Sequence, residues 1–222
     1  MAILFACQCA RTHASGRGRP VHTGASSIAS NLKLTQAMET PLVPAAAAVQ
    51  PAVHLSLGAS AGDMVVTWSS APVTASGERA VLSYGAAATA LHSTVVATSL
   101  NNLSRIALNR ATIRNVTAGD TVFYRVSGDS RVLNFTHRTP HGRKGPVTFA
   151  IFGDLGIKEQ DGANYTLARL KQHHIAGEFE AILHVGDIAY DLQDNGGKTG
   201  DEFLQDWEPV ASQVPYMTVP GK

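Results

Sequence analysis

The sequence predicts an all-β sandwich followed by the β-α-β-α-β start of an α/β domain. Three observations carry this. Between Ala52 and Pro140, about seven short β-prone runs are separated by Gly- and Asp-bearing turns, with no useful segment of helical period. From Pro146 onward, strand-like runs alternate with segments whose apolar residues recur every three or four positions. The first two of those later runs each end in Gly-Asp: Phe149-Ala150-Ile151-Phe152 runs into Gly153-Asp154-Leu155-Gly156, and Ala181-Ile182-Leu183-His184-Val185 into Gly186-Asp187-Ile188-Ala189-Tyr190.

In chain order, residues 1–51 do not read as a domain. Ala2–Ala10 is mildly apolar but short, with no preceding Lys or Arg, so it makes a poor secretory signal. Arg11, Arg17, Arg19 and Lys33 among serines, with no acid before Glu39, suit a transit peptide equally; an aberrant start is a third reading. Pro41 to Pro51, with its alanine run, reads as a linker. Within 52–140 the strands are expected at Val53–Leu57, Met64–Trp68, Ala80–Tyr84, Ser93–Thr98, Ser104–Asn109, Thr121–Val126 and Val132–Thr136. Trp68 and Tyr124 are expected in the core. His141–Gly145 is a basic, glycine-bearing hinge. In 146–222, strands are expected at Val147–Phe152, Ala181–Val185 and Pro215–Val219, with helices at Asp161–Ile175 and Asp201–Ser212. Ala163, Leu167, Leu170 and His174 share one face of the first helix, and Gly177 suits its C-terminal cap.

Composition narrows the function classes. The formal net charge is +1 and 44% of residues are apolar, so a real core is affordable and no global field favours nucleic acid. No run approaches the length of a membrane span. Cys7 and Cys9 lie outside any expected domain and imply no disulfide framework. The charge is unevenly spread: residues 153–222 hold twelve of the 17 acids. Asn102, Asn115, Asn134 and Asn164 each head an N-x-[ST] sequon, half of the eight asparagines, which favours a secretory route and glycosylation.

The chemistry centres on the two Gly-Asp turns. Parallel strands would bring both turns to the same sheet edge, so Asp154 and Asp187 can share a metal although 33 residues apart. Both are hard oxygen donors. Tyr190, three residues after Asp187, adds a phenolate, which binds well only to a strongly Lewis-acidic ion such as Fe(III). The competing reading is that Gly-Asp after a strand is common and the tyrosine is packed. His173 and His174 read as helix surface and core edge, and His184 as packed or hydrogen-bonded behind the site.

Gly-Asp-Leu-Gly, Leu-His-Val-Gly-Asp-Ile-Ala-Tyr and the ending Pro-Tyr-Met-Thr-Val-Pro-Gly closely resemble the metallophosphoesterase domain of purple acid phosphatases. Val53-His54-Leu55-Ser56, Met64–Trp68, Ser83-Tyr84-Gly85 and Phe123-Tyr124-Arg125-Val126 resemble that family's fibronectin-III-like N-terminal domain. The resemblance covers roughly residues 52–222. It implies an acid phosphatase hydrolysing phosphate monoesters at a dinuclear centre of Fe(III) with a second divalent ion (Fe, Zn or Mn). Asp154 resembles the carboxylate on Fe(III), Asp187 the carboxylate bridging both ions, and Tyr190 the tyrosinate responsible for the colour. In such a centre two ions clamp the phosphate for in-line attack. The implied location is secreted or lysosomal/vacuolar; a homodimer stays open.

The sequence departs from the family after Pro220. The next motif should read Gly-Asn-His-Glu, whereas this chain reads Gly221-Lys222 and carries none of the later histidine motifs. The expectation is therefore an N-terminal portion, from a splice form, fragment or gene model, inactive as written. The alternative is a non-catalytic β-sandwich module that binds a partner or glycan. Arg105, Arg110, Arg114, Arg125 and Arg131 would then form an anion-binding patch; otherwise they are a solvated face.

Overall fold

A computed structural model describes residues 51–71, 79–102, 106–138, 146–158 and 162–221. The expectations placed on residues 1–50, Arg105, the 141–145 hinge and Lys222 lie outside them.

The first eight strands form two four-stranded antiparallel sheets. One contains β1 (His54–Leu57), β2 (Met64–Ser70), β6 (Ala107–Ile113) and β5 (Thr98–Asn102), in the order β1-β2-β6-β5. The other contains β3 (Val81–Gly85), β4 (Ser93–Val96), β7 (Thr121–Val126) and β8 (Leu133–Thr136), in the order β4-β3-β7-β8. Period-two alternation builds the core between them: Ala111 and Ile113 of β6, and Val122, Tyr124 and Val126 of β7, turn inward with Met64, Val66, Trp68, Leu82 and Phe135.

Two differences from the sequence reading have local causes. The expected run Ser93–Thr98 is two strands in different sheets. The chain changes sheets at Ala97, whose N–H donates to the Ala80 carbonyl at 2.8 Å. The expected Ser104–Asn109 strand lies further along, at Ala107–Ile113. Asn109, which looked like a strand end, is buried mid-strand because its amide donates to the Ser70 hydroxyl at 2.9 Å.

The second half runs β9 (Phe149–Phe152), α1 (Ala163–Ile175), β10 (Ala181–Val185), α2 (Asp194–Ala211), β11 (Tyr216–Val219). The strands form a parallel sheet with β10 in the middle. Ala150, Phe152, Ile182 and Tyr216 on one face pack with Leu170 of α1 and Phe203, Trp207 and Val210 of α2. The opposite face is less sealed: Val185 and Val219, register partners, are 55% and 51% exposed. α1 ends at Gly177 (φ +69°), whose N–H donates to the His174 carbonyl, while that of Glu178 donates to His173. α2 begins earlier than the apolar period predicts. Asn195, Gly196 and Gly197 are left-handed, so the continuous helix starts at Lys198.

The sheet's β11 edge is met by the sandwich. Leu55 of β1 bridges in parallel to Pro215, and the Leu57 N–H approaches the Met217 sulfur at 3.3 Å. His54 Nε2 meets the Leu204 carbonyl at 2.9 Å, and its ring stands edge-on to Tyr216. The Val53 N–H donates to Glu208 at 3.2 Å. Arg131, expected in a patch or on a solvated face, spans Asp129 and Glu208 at 2.6 and 2.8 Å. At the centre, the buried Tyr124 hydroxyl donates to the Ser212 carbonyl at 2.6 Å. Burial holds that phenol well above its ordinary pKa, so it stays a donor at any working pH.

Tyr124→Phe leaves the Ser212 carbonyl without this donor. It is expected to cost about 1–3 kcal/mol of unfolding free energy, read as a lowered urea midpoint with an unchanged slope.

Candidate metal centre

Because β9, β10 and β11 are parallel, their C-terminal ends lie at one edge, and each continues into a glycine-bearing turn: Gly153-Asp154, Gly186-Asp187 and Pro220-Gly221. The turns are stitched together by backbone. The Asp154 N–H donates to Gly186 at 3.2 Å, that of Leu155 to Asp187 at 3.1 Å, and that of Ala189 to Leu155 at 2.8 Å. This extends the β9–β10 ladder beyond the strands as a bridge between Leu155 and Ile188.

Glycine is required at two points here. Gly186 has φ +93°, and a Cβ on it would lie 3.0 Å from the Gly221 Cα. A Cβ on Gly221 would lie 1.9 Å from an Asp187 carboxylate oxygen. The Pro220-Gly221 turn therefore closes directly over Asp187.

Asp154, Asp187, Ala189 and Tyr190 all have left-handed backbone, with φ of 53°, 51°, 65° and 42°. Each costs about 1–2 kcal/mol for an L-residue, somewhat less for Asp, and such residues cluster where geometry serves chemistry. The outcome is a contact across 36 residues: the Tyr190 hydroxyl donates to Asp154 Oδ1 at 2.9 Å. Asp187 is half-buried between these residues' turn and Gly221.

The three residues picked out by sequence thus stand on adjacent turns, and two are in direct contact. Among the described residues, no three His, Cys, Asp or Glu side chains are grouped to hold an ion; this set takes its third donor from a phenol. A hydroxyl already bonded to a carboxylate, in an oxygen-only set, suits a hard ion that displaces the phenolic proton. The donor set fits the Fe(III) side of the expected centre.

Behind the turns, His184 is fully buried against Phe152, with ring centroids 4.8 Å apart, and its Nδ1 is hydrogen-bonded to the Tyr216 hydroxyl. Burial pulls its pKa down to about 4, partly offset by the Gly186 and Asp187 backbone and the Asp154 charge. His173 pairs with Glu178 at 2.6 Å, and His174 packs on Phe179. Arg110 and Arg125 project from different sheets, and Arg114 pairs with Asp63 at 3.4 Å, so no single anion-binding patch is assembled from the described arginines. Asn115, Asn134 and Asn164 are exposed; Asn102 ends β5. Sequence reasoning missed Gly221 and Tyr216 as parts of the site. The signal for Gly221 was a third glycine turn after a third parallel strand. Tyr216 gave none.

Residues 51–139 match the family model of the purple acid phosphatase N-terminal domain. This part of the chain is thus similar to the N-terminal domain of purple acid phosphatases. Over 175 residues the chain is 33% identical to the acid phosphatase type 7 of Mus musculus, covering 76% of this chain and 39% of that protein. To the Homo sapiens acid phosphatase type 7 it is 33% identical over 184 residues, covering 80% and 40%. A shorter stretch of 92 residues is 34% identical to an Arabidopsis thaliana protein described as probable inactive purple acid phosphatase 1, covering 36% and 14%. A solved purple acid phosphatase from yellow lupin seeds superposes with a TM-score of 0.63 at 22% identity, over 77% of this chain and 34% of that one. The chain thus spans about two fifths of the length of the acid phosphatases type 7 that it matches.

Two outcomes follow from this geometry. Gly186→Ala combines a positive φ with a close backbone neighbour and is expected to cost about 1–3 kcal/mol by urea unfolding. His184 titrates at about 4 when folded and near 6.5 when unfolded, so the unfolded chain binds more protons between these values. Its contribution is full above about pH 6.5 and is lost as pH falls toward 4. The urea midpoint should drop across that window, and His184→Gln should flatten the drop.

Proposed function

We propose that the chain carries the Fe(III)-binding half of a dinuclear acid phosphatase centre acting on phosphate monoesters. The observation that supports this most is the Tyr190 hydroxyl on Asp154, with Asp187 on the adjoining turn. Asp154 and Tyr190 would hold the Fe(III) ion, and Asp187 would face both it and a divalent partner (Fe, Zn or Mn). When bound, such ions supply Lewis acidity that polarises the phosphate ester and lowers the pKa of the phenol.

The chain's own residues prepare for this. The left-handed turns aim both carboxylates from the same sheet edge. The hydrogen bond between Tyr190 Oη and Asp154 Oδ1 holds the proton that must leave for the phenolate to form. The Leu155–Ile188 bridge fixes the two turns to each other, so the donors are oriented before any ion arrives.

The wider reading includes passage through the secretory route to a secreted or lysosomal/vacuolar location. Glycans would sit at Asn102, Asn115, Asn134 and Asn164, and a homodimer remains compatible. A free-standing sandwich module is less well supported, because Tyr124, His54 and Arg131 face the α/β segment and not an external partner.

The test is Fe(III) titration of the purified chain. A visible tyrosinate charge-transfer band is expected, abolished by Tyr190→Phe and strongly weakened by Asp154→Asn. Wild-type protein that takes up Fe(III) without the band, or takes up none, overturns the assignment. In protein secreted from eukaryotic cells, glycosidase treatment should lower the apparent mass; no change overturns the sequon reading.

A further inference from the structure

A cleft of about 540 Å³ lies where β8 of the sandwich meets the C-terminal ends of α1 and α2. Its size is within the range of small-molecule sites, which favour junctions of this kind. Phe179 leads into β10 and Val214 into β11, so the cleft opens at the N-terminal ends of the parallel strands. Asp154 and Asp187 stand at the opposite edge of the sheet, and no part of the cleft uses them.

The lining divides into a floor and a rim. Phe135, Phe179 and Val210 are buried and make the floor apolar. Ile175, the last residue of α1, carries that apolar surface to the mouth. It is 85% exposed, more than any other large apolar side chain among the described residues. Two cations share the rim. Arg138, just past β8, reaches across to α1: a Cβ on Gly177 would lie 3.8 Å from its Nη1. Lys171 stands on α1 and is half-buried. Neither is in an ion pair among the described residues. The one carboxylate among the described lining residues, Glu180, is already engaged, its Oε2 accepting from the Thr148 N–H at 2.6 Å. The rim is thus cationic, although residues 153–222 hold twelve of the 17 acids.

Two cations facing one concave surface repel each other, and partial burial of an ammonium without a partner is unfavourable. An anion at the rim relieves both. Inorganic phosphate would meet the charges and leave the floor bare; an uncharged aromatic would do the reverse. The rings of Phe135 and Phe179 favour a flat aromatic body on the floor.

We propose that this cleft binds an aromatic carboxylate, its ring on the floor of Phe135, Phe179 and Val210 and its carboxylate at Arg138 and Lys171.

The experiment is a calorimetric titration of the full chain, without metal, with naphthoate and with its uncharged counterpart naphthylmethanol. Naphthoate is expected to fill one saturable site about ten-fold more tightly than the alcohol. Arg138→Gln combined with Lys171→Gln should remove that difference and leave the alcohol's affinity unchanged. Should the double variant fail to fold, Arg138→Gln alone, at an exposed position, is expected to weaken naphthoate about three-fold. Ile175→Ser should weaken both ligands about three-fold. Val219→Ser, on the exposed face of the sheet, should change neither, and inorganic phosphate should not displace naphthoate. Absence of saturable naphthoate binding overturns the proposal. So do equal affinities for the two ligands in wild type, a difference that survives loss of the cations, wild-type binding by Ile175→Ser, weakening by Val219→Ser, or displacement by phosphate.

Discussion

Parallel pairing of three short strands is the constraint on which the rest depends. Register between β9, β10 and β11 brings Gly153, Gly186 and Gly221 to one edge, and the backbone bonds beyond the strands hold the turns there. A one-residue slip of β10 would move His184 out of the core and pull Asp187 away from Gly221. The functional residues are thus placed by the ladder; their side chains adjust only the last ångström.

The sandwich serves this arrangement from the side. β1 meets β11 at its edge, Tyr124 reaches the residue that ends α2, and Arg131 meets a carboxylate in the helix's last turn. The three-stranded sheet and its two helices do not hold the turns unaided. Packed against eight strands, its β11 edge and the C-terminal end of α2 are fixed. The family match to residues 51–139 and the identity that continues into the α/β segment describe the two partners of this junction.

Much of this was legible in the sequence because its causes are local. Alternation marked β1, glycine marked the end of α1, and Gly-Asp after apolar runs marked Asp154 and Asp187. The i+3 tyrosine was visible too, but not that its hydroxyl would meet Asp154. What stayed hidden depends on contacts far along the chain. Arg131 looks like any surface cation until Glu208 is beside it. Asn109 reads as a strand end until Ser70 accepts its amide. The move from one sheet to the other at Ala97 leaves the alternating pattern intact, so periodicity passes through it unmarked.

The junction also bears on how the chain comes to be folded. His54 and Leu204 are 150 residues apart, and Leu57 and Met217 are 160 apart. During synthesis β1 emerges long before its partner edge on β11. The sandwich can close on contacts within its own half, but the β1 edge must wait, unpaired, while α1 and α2 are made. Such long-range closure slows folding and leaves a strand edge open to wrong partners. The same contacts that fix the finished site make its assembly the late and vulnerable step.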